Sequence, residues 1–171
     1  MSAGGARPFA RLMLRDARVA RLATANAQGT PHVIPVCFVF DRGAIYSAID
    51  AKPKRTSPRG LRRVRNIMAN PRVAFVVDHY EEDWERLRYV LVQGTATIVG
   101  RGRDHRRAIA RLRAKYRQYR TMRLETRPVL KISPLKIAAW EASRGRSGRA
   151  LTAPRGRPRR APRGKPPRRE K

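Results

Sequence analysis

The chain has 171 residues and carries 41 Lys/Arg against 12 Asp/Glu, a formal net charge of +29. That length allows one domain with a real core and excludes two. The single cysteine, Cys37, excludes an intrachain disulfide and a cysteine-built zinc site.

The opening stretch, MSAGGARPFARLMLRD, has no continuous apolar segment, so a secretory leader is not expected. Phe9, Leu12 and Met13 recur at helical spacing and predict a short helix. Residues 19–24 read as a strand and residues 26–29 as a turn, with Gly29 supplying a positive φ. Residues 32–40 read as a second strand, Asp41-Arg42-Gly43 as a tight turn, and residues 44–49 as a third strand. Short turns between consecutive strands predict an antiparallel meander. The longest mostly apolar run, HVIPVCFVF, is far too short to span a bilayer, so no membrane association and a cytoplasmic location are expected.

Residues 51–66, AKPKRTSPRGLRRVRN, hold Lys52, Lys54, Arg55, Arg59, Arg62, Arg63 and Arg65 and no acid. Leu61, Val64, Ile67 and Met68 predict one face of a helix that Asn70-Pro71 ends. Residues 72–78 read as a strand and 80–87 as a polar, acidic, aromatic loop. Residues 88–100 read as a long strand in which Gly94 marks a bulge or a close backbone approach. Ile109, Leu112 and Tyr116 predict a helix over 104–119, and residues 129–141 read as a last strand interrupted near Pro134. The fold class is mainly β with flanking helices, a small barrel of about six antiparallel strands and about three helices.

The domain is expected to span residues 1–143. Residues 144–171 hold twelve Lys/Arg, one Glu, five prolines and four glycines. They cannot bury enough apolar surface to offset ordering, so a disordered tail is expected. Such a tail binds polyanions weakly and in a salt-dependent way.

No Walker loop, no GxGxxG after a strand, no HExxH and no GxSxG is present. His32, His79 and His105 are scattered without metal-ligand spacing, and no metal site is expected. Neither an acid/base pair nor an activated nucleophile stands out, so any hard chemistry belongs to a cofactor. The basic stretch leaves a strand and enters a helix, whose free N–H groups attract phosphate. Arg forks onto phosphate and Lys acts as a point charge, so a phosphate clamp is sensible. A solvated basic face and a nucleic-acid patch are the alternatives, although no stacking aromatics interleave the stretch.

The order of features resembles the pyridoxamine 5′-phosphate oxidase-like, FMN-binding split-barrel superfamily. ATANAQGTPHVIPV matches its opening hairpin, RNIMANPRVAFVV its basic helix and following strand, and YVLVQGTATIV its long strand. KPK, NPRVAFVVDHYEEDWERL, LRAKYRQYR and KISPLKIAAWEAS look more like the actinobacterial branch that uses the deazaflavin coenzyme F-420. The resemblance implies a homodimer with a cofactor at the subunit interface and an oxidoreductase that passes hydride from the deazaflavin to a small electron-poor organic acceptor. An FMN-binding oxidoreductase, a coenzyme carrier without turnover and a basic nucleic-acid-associated module are the rival readings. The implied phosphate ligands are Lys52, Lys54, Arg62, Arg63 and Arg65, with Asn66 shaping the helix. Val33, Pro35 and Val36 would pass along the ring, Ser47 and Ala48 would face the ribityl chain or ring, and Gln93 would approach the site. Tyr80 and Trp84 would cover the pocket, from this subunit or its partner. No catalytic side chain is implied. The C-terminal residues that grip pyridoxal phosphate in typical relatives have no counterpart, which argues against vitamin B6 oxidation.

Overall fold

A computed structural model describes residues 8–49 and 60–142. Lys52, Lys54 and the tail at 143–171 lie outside the described residues.

The first helix, α1 (Pro8–Asp16), is followed by the strands β1 (Ala20–Ala25), β2 (Pro31–Val36), β3 (Val39–Asp41) and β4 (Ala44–Ala48). Next come α2 (Arg62–Ala69), β5 (Arg72–His79), β6 (Arg88–Val99), α3 (Arg103–Lys115) and β7 (Val129–Glu141). The strands form one antiparallel sheet in the order β2-β1-β5-β6-β7-β4-β3.

Both tight turns fall where expected. Gly29 has φ 81°, and Arg42 and Gly43 have φ 49° and 78°, the paired left-handed geometry of a two-residue hairpin. The expected second strand is instead two strands. β2 and β3 lie at opposite edges of the sheet, yet only Cys37 and Phe38 separate them. Three Cα steps reach no more than about 11 Å, so the sheet must curl until its edges meet there. The meander expectation therefore fails between the second and third elements, and the count rises to seven strands. The crossing itself, Val36-Cys37-Phe38-Val39, is wholly apolar, so no turn residue marks it.

The barrel interior holds Leu22, Phe38, Ile45, Phe75, Val92 and Ile132, each fully buried. Phe38 and Phe75 meet edge to face at 4.9 Å. Two helices close the barrel ends. α1 buries Ala10 and Leu14 and leaves Leu12 49% exposed, contrary to its expected inward face. α2 buries Val64 and Ile67, while Met68, also expected inward, is 68% exposed. In both helices the buried stripe is narrower than the apolar residues the sequence offers. α3 packs on the outside of β3 and β4, where Ala108, Ile109 and Leu112 meet Val39, Tyr46 and Ala48. It is pinned by Arg107 to Asp41 (2.7 Å) and by Lys131 to Asp104 (2.6 Å).

The end of α3 clasps the barrel crossing. The Phe38 N–H donates to Tyr116 Oη at 2.9 Å. The Tyr116 hydroxyl in turn has the Phe38 carbonyl at 2.7 Å and the Arg18 carbonyl at 2.8 Å. Lys115 Nζ donates to the Ala17 carbonyl at 2.6 Å and lies 4.4 Å above the Phe38 ring. Burial pushes the Tyr116 phenol up to about 12. Burial, with the Arg18 charge second, pushes Lys115 down to about 8.

Candidate functional site

α2 carries Arg62, Arg63 and Arg65, the described basic residues of the 51–66 stretch. Its N-cap residue, Leu61, offers no side-chain oxygen, and the first turn holds no acid. Its leading N–H groups and partial positive charge are thus available to an anion. The helix is anchored to β1 through Asn66. Asn66 is 5% exposed, and its Nδ2 donates to Thr24 Oγ1 of β1 at 3.0 Å. Arg62 and Arg63 precede Asn66 by four and three positions and so lie one turn along the same side. Asn66 thereby ties α2 to β1 as a buried strut. Arg62 and Arg65 are exposed and Arg63 is half-buried.

His32 faces α2. It opposes Thr24 in the β1–β2 pair, and it shares the inward face of β2 with Ile34 and Val36. Its Nδ1 is shut off from solvent and meets no hydrogen-bond partner among the described residues. Its imidazole is held below the ordinary value by burial first and by the Arg62 and Arg63 charges next. Sequence reasoning passed over His32 as one of three scattered histidines. A signal was present: the strict alternation in PHVIPV sets a polar ring in line with Ile34 and Val36. His105 is the ordinary case, buried with its Nε2 2.7 Å from the Arg127 carbonyl.

The remaining predicted residues separate onto different faces. Val33 and Pro35 point outward from β2, Val33 at 60% exposure, whereas Val36 points into the core. The strand register sets Val33, Ala23, Ala74, Gln93 and Lys136 in one row across β2, β1, β5, β6 and β7. Val33 and Gln93 are thus in register about 14 Å apart, three strand spacings, with only alanines between them. Small side chains leave a shallow trough there. Ser47 and Ala48 do not share a face. Ser47 lies in line with Ile45 and Ile49 toward the barrel interior, and Ala48 packs beneath α3. Ser47 is buried by the barrel core and Ala48 by α3, so in the single chain neither reaches the trough. Tyr80 and Trp84 are exposed at the far end of β5 from α2, roughly 23 Å along the strand. Within one chain they cannot cover the α2 end.

Gly94 interrupts the β6–β7 register immediately after Gln93. Among the described residues no group of three His, Cys, Asp or Glu could hold a metal ion, and no helix is long and apolar enough to cross a membrane.

Comparison with known proteins adds to this geometry. The 5a,11a-dehydrotetracycline/5a,11a-dehydrooxytetracycline reductase of Streptomyces rimosus is 33% identical over 147 residues, covering 82% of this chain and 89% of the relative. A conserved hypothetical protein of Mycobacterium tuberculosis superposes with a TM-score of 0.66 at 18% identity, covering 89% of this chain and 98% of that one. A structure described as an F-420 reductase superposes with a TM-score of 0.53 at 21% identity, covering 78% of this chain and 98% of that one. At those identities the two structures share the fold. Residues 7–141 match the pyridoxamine 5′-phosphate oxidase family. With residues 7–141, most of the chain, inside that match and a reductase 33% identical over 147 residues, the chain belongs to the pyridoxamine 5′-phosphate oxidase family of split barrels.

Proposed function

We propose that this chain is a coenzyme F-420-dependent oxidoreductase, a cytoplasmic homodimer that reduces a small electron-poor organic acceptor. The observation that carries the reading is the fixed basic end of α2, where Arg62 and Arg63 stand one turn from Asn66 and its bond to Thr24. An anion fits there, and around the β2 edge, on the outer face of the sheet, the alanine trough between Val33 and Gln93 takes a flat ring. The reductase relative from Streptomyces supports the reaction class.

Arg62 and Arg63 hold the phosphate, joined by Lys52 and Lys54 from the segment that leads into the helix. Arg65 adds long-range attraction for the coenzyme's acidic tail. Val33 and Pro35 flank the ring, and Gln93 offers a side-chain amide at the other side of the trough. The coenzyme, when bound, supplies the hydride at its C5 carbon. The protein binds the phosphate, orients the ring and excludes water. Charge reversal at Lys54 and Arg63 together is expected to weaken coenzyme binding at least about tenfold, near 1.4 kcal/mol, with folding intact. Unchanged affinity in a fluorescence titration would remove the clamp.

A second copy of the chain is the proposed cover for the outer sheet face. That face presents Val33, Val76, Leu91, Ala138 and the stacked pair Tyr89 and Trp140, ring centroids 5.8 Å apart. Contiguous apolar surface of this kind marks an interface. In a two-fold dimer Tyr80 and Trp84 of one protomer become candidates to cover the site of the other. Sedimentation equilibrium is expected to give a dimer mass for the native chain and a monomer mass for the Val76→Arg/Ala138→Arg variant. A native monomer at tens of micromolar would refute the dimer.

A further inference from the structure

The irregularity between β6 and β7 decides which way one charge points. Ile132 of β7 faces the barrel core, and strict alternation would send Pro134 and Lys136 inward with it. Gln93 instead opposes Lys136 while Gly94 opposes Pro134, so Leu135 is an extra residue without a partner on β6. The alternation flips there. Ile137 and Ala139 pack against the core, and Lys136 joins the outer-face row of Val33, Ala23, Ala74 and Gln93. Gly94 admits the bulge, because the Ser133 carbonyl fills the space that a side chain would need.

Lys136 carries the only charge in that row. It is exposed and makes no hydrogen bond or ion pair among the described residues. Gln93 opposite it, and Leu91 and Ala138 in the adjoining row, are uncharged. The same face is the one proposed above to meet a second copy of the chain. Covering it would bury an unpaired ammonium, which is costly unless an anion meets that group. Bulges recur beside active sites, where they re-aim a side chain. Here the re-aimed group is an ammonium on a flexible stem, at the end of the alanine trough.

We infer that Lys136 contacts the ring of the bound coenzyme and holds its delocalised negative charge. This rests on the coenzyme reading proposed above. A deazaflavin ring carries that charge on its phenolate oxygen when oxidised and on its pyrimidine N1–C2 carbonyl edge when reduced. An ammonium beside either edge favours the ionised form. At the phenolate edge Lys136 lowers the midpoint of the phenol. At the pyrimidine edge it favours the reduced coenzyme over the oxidised one.

The test compares the full native chain with Lys136→Met, which keeps the stem and removes the charge, and Lys136→Arg, which restores the charge. The first arm follows the absorbance of bound oxidised F-420 across the titration of its phenol. For contact at the phenolate edge, Lys136→Met is expected to raise the midpoint by about one pH unit, with Lys136→Arg close to native. The second arm measures the Kd of oxidised and of reduced F-420. For contact at the pyrimidine edge, Lys136→Met is expected to weaken the reduced form about tenfold more than the oxidised one, again with Lys136→Arg close to native. Sedimentation and thermal melting of Lys136→Met are expected to match the native chain, so that a shift in either arm reports the charge and not packing. A Lys136→Met chain that binds F-420 with both readouts unmoved overturns the role of Lys136 and leaves the coenzyme reading standing. A Lys136→Met chain that falls apart into monomers overturns it too, and assigns the ammonium to an acid of the second copy. A native chain that binds no F-420 removes the coenzyme reading and this role with it.

Discussion

Gly94→Ala will destabilise the domain by about 3 kcal/mol, the upper range for forcing atoms into a filled space. A Cβ built on Gly94 falls 2.4 Å from the Ser133 carbonyl oxygen, 3.1 Å from its carbon and 3.2 Å from Pro134 Cα. All three are backbone atoms, so no side chain can swing aside. β6 and β7 would have to part at the irregularity where Gly94 opposes Pro134 and Gln93 opposes Lys136. The demand is one of space, since Gly94 is absent from the positive-φ glycines. Gly29→Ala provides the contrast: φ is 81° and nothing lies within 4 Å, so only backbone strain of about 1 kcal/mol is expected. Chemical denaturation of both variants checks the ranking. Equal costs would mean that the bulge yields easily.

Tyr116→Phe is expected to cost about 2 kcal/mol, a fall in Tm of roughly 5–10 °C for a domain of this size. One hydroxyl accepts from the buried Phe38 N–H and serves the carbonyls of Phe38 and Arg18. The ring of the variant fills the same volume, so the loss isolates the hydrogen bonds. Phe38 lies at the crossing where the two sheet edges meet, and its amide has no ladder partner to fall back on. The native chain is the reference, and a variant that melts with it would mean that the clasp contributes nothing.

Local signals in the sequence carried much of the fold. Gly29 and Gly43 marked their turns, Asn70-Pro71 ended α2, and Gly94 with Pro134 marked the irregularity that the β6–β7 register contains. Non-local features were hidden. The run from His32 to Phe40 is mostly apolar on both sides of the crossing, and only the pairing of β2 with β1 and of β3 with β4 splits it. The same limit explains Ser47 and Ala48. In the single chain the barrel core buries Ser47 and α3 covers Ala48, and both coverings come from segments distant in sequence. Arg62, Arg63 and Asn66 were legible because helical spacing is local. The bond from Asn66 to Thr24 was not, since it joins segments far apart in sequence.

The central claim is tested most directly by a fluorescence titration of the purified full-length chain with coenzyme F-420, and in parallel with FMN, at moderate salt. The account predicts saturable binding of F-420 in the micromolar range and little binding of FMN. FMN binding alone would move the protein to the flavin branch of the family. If neither bound, while duplex DNA bound with an affinity falling steeply with salt, the cofactor site would be contradicted and the basic surface would belong to nucleic acid.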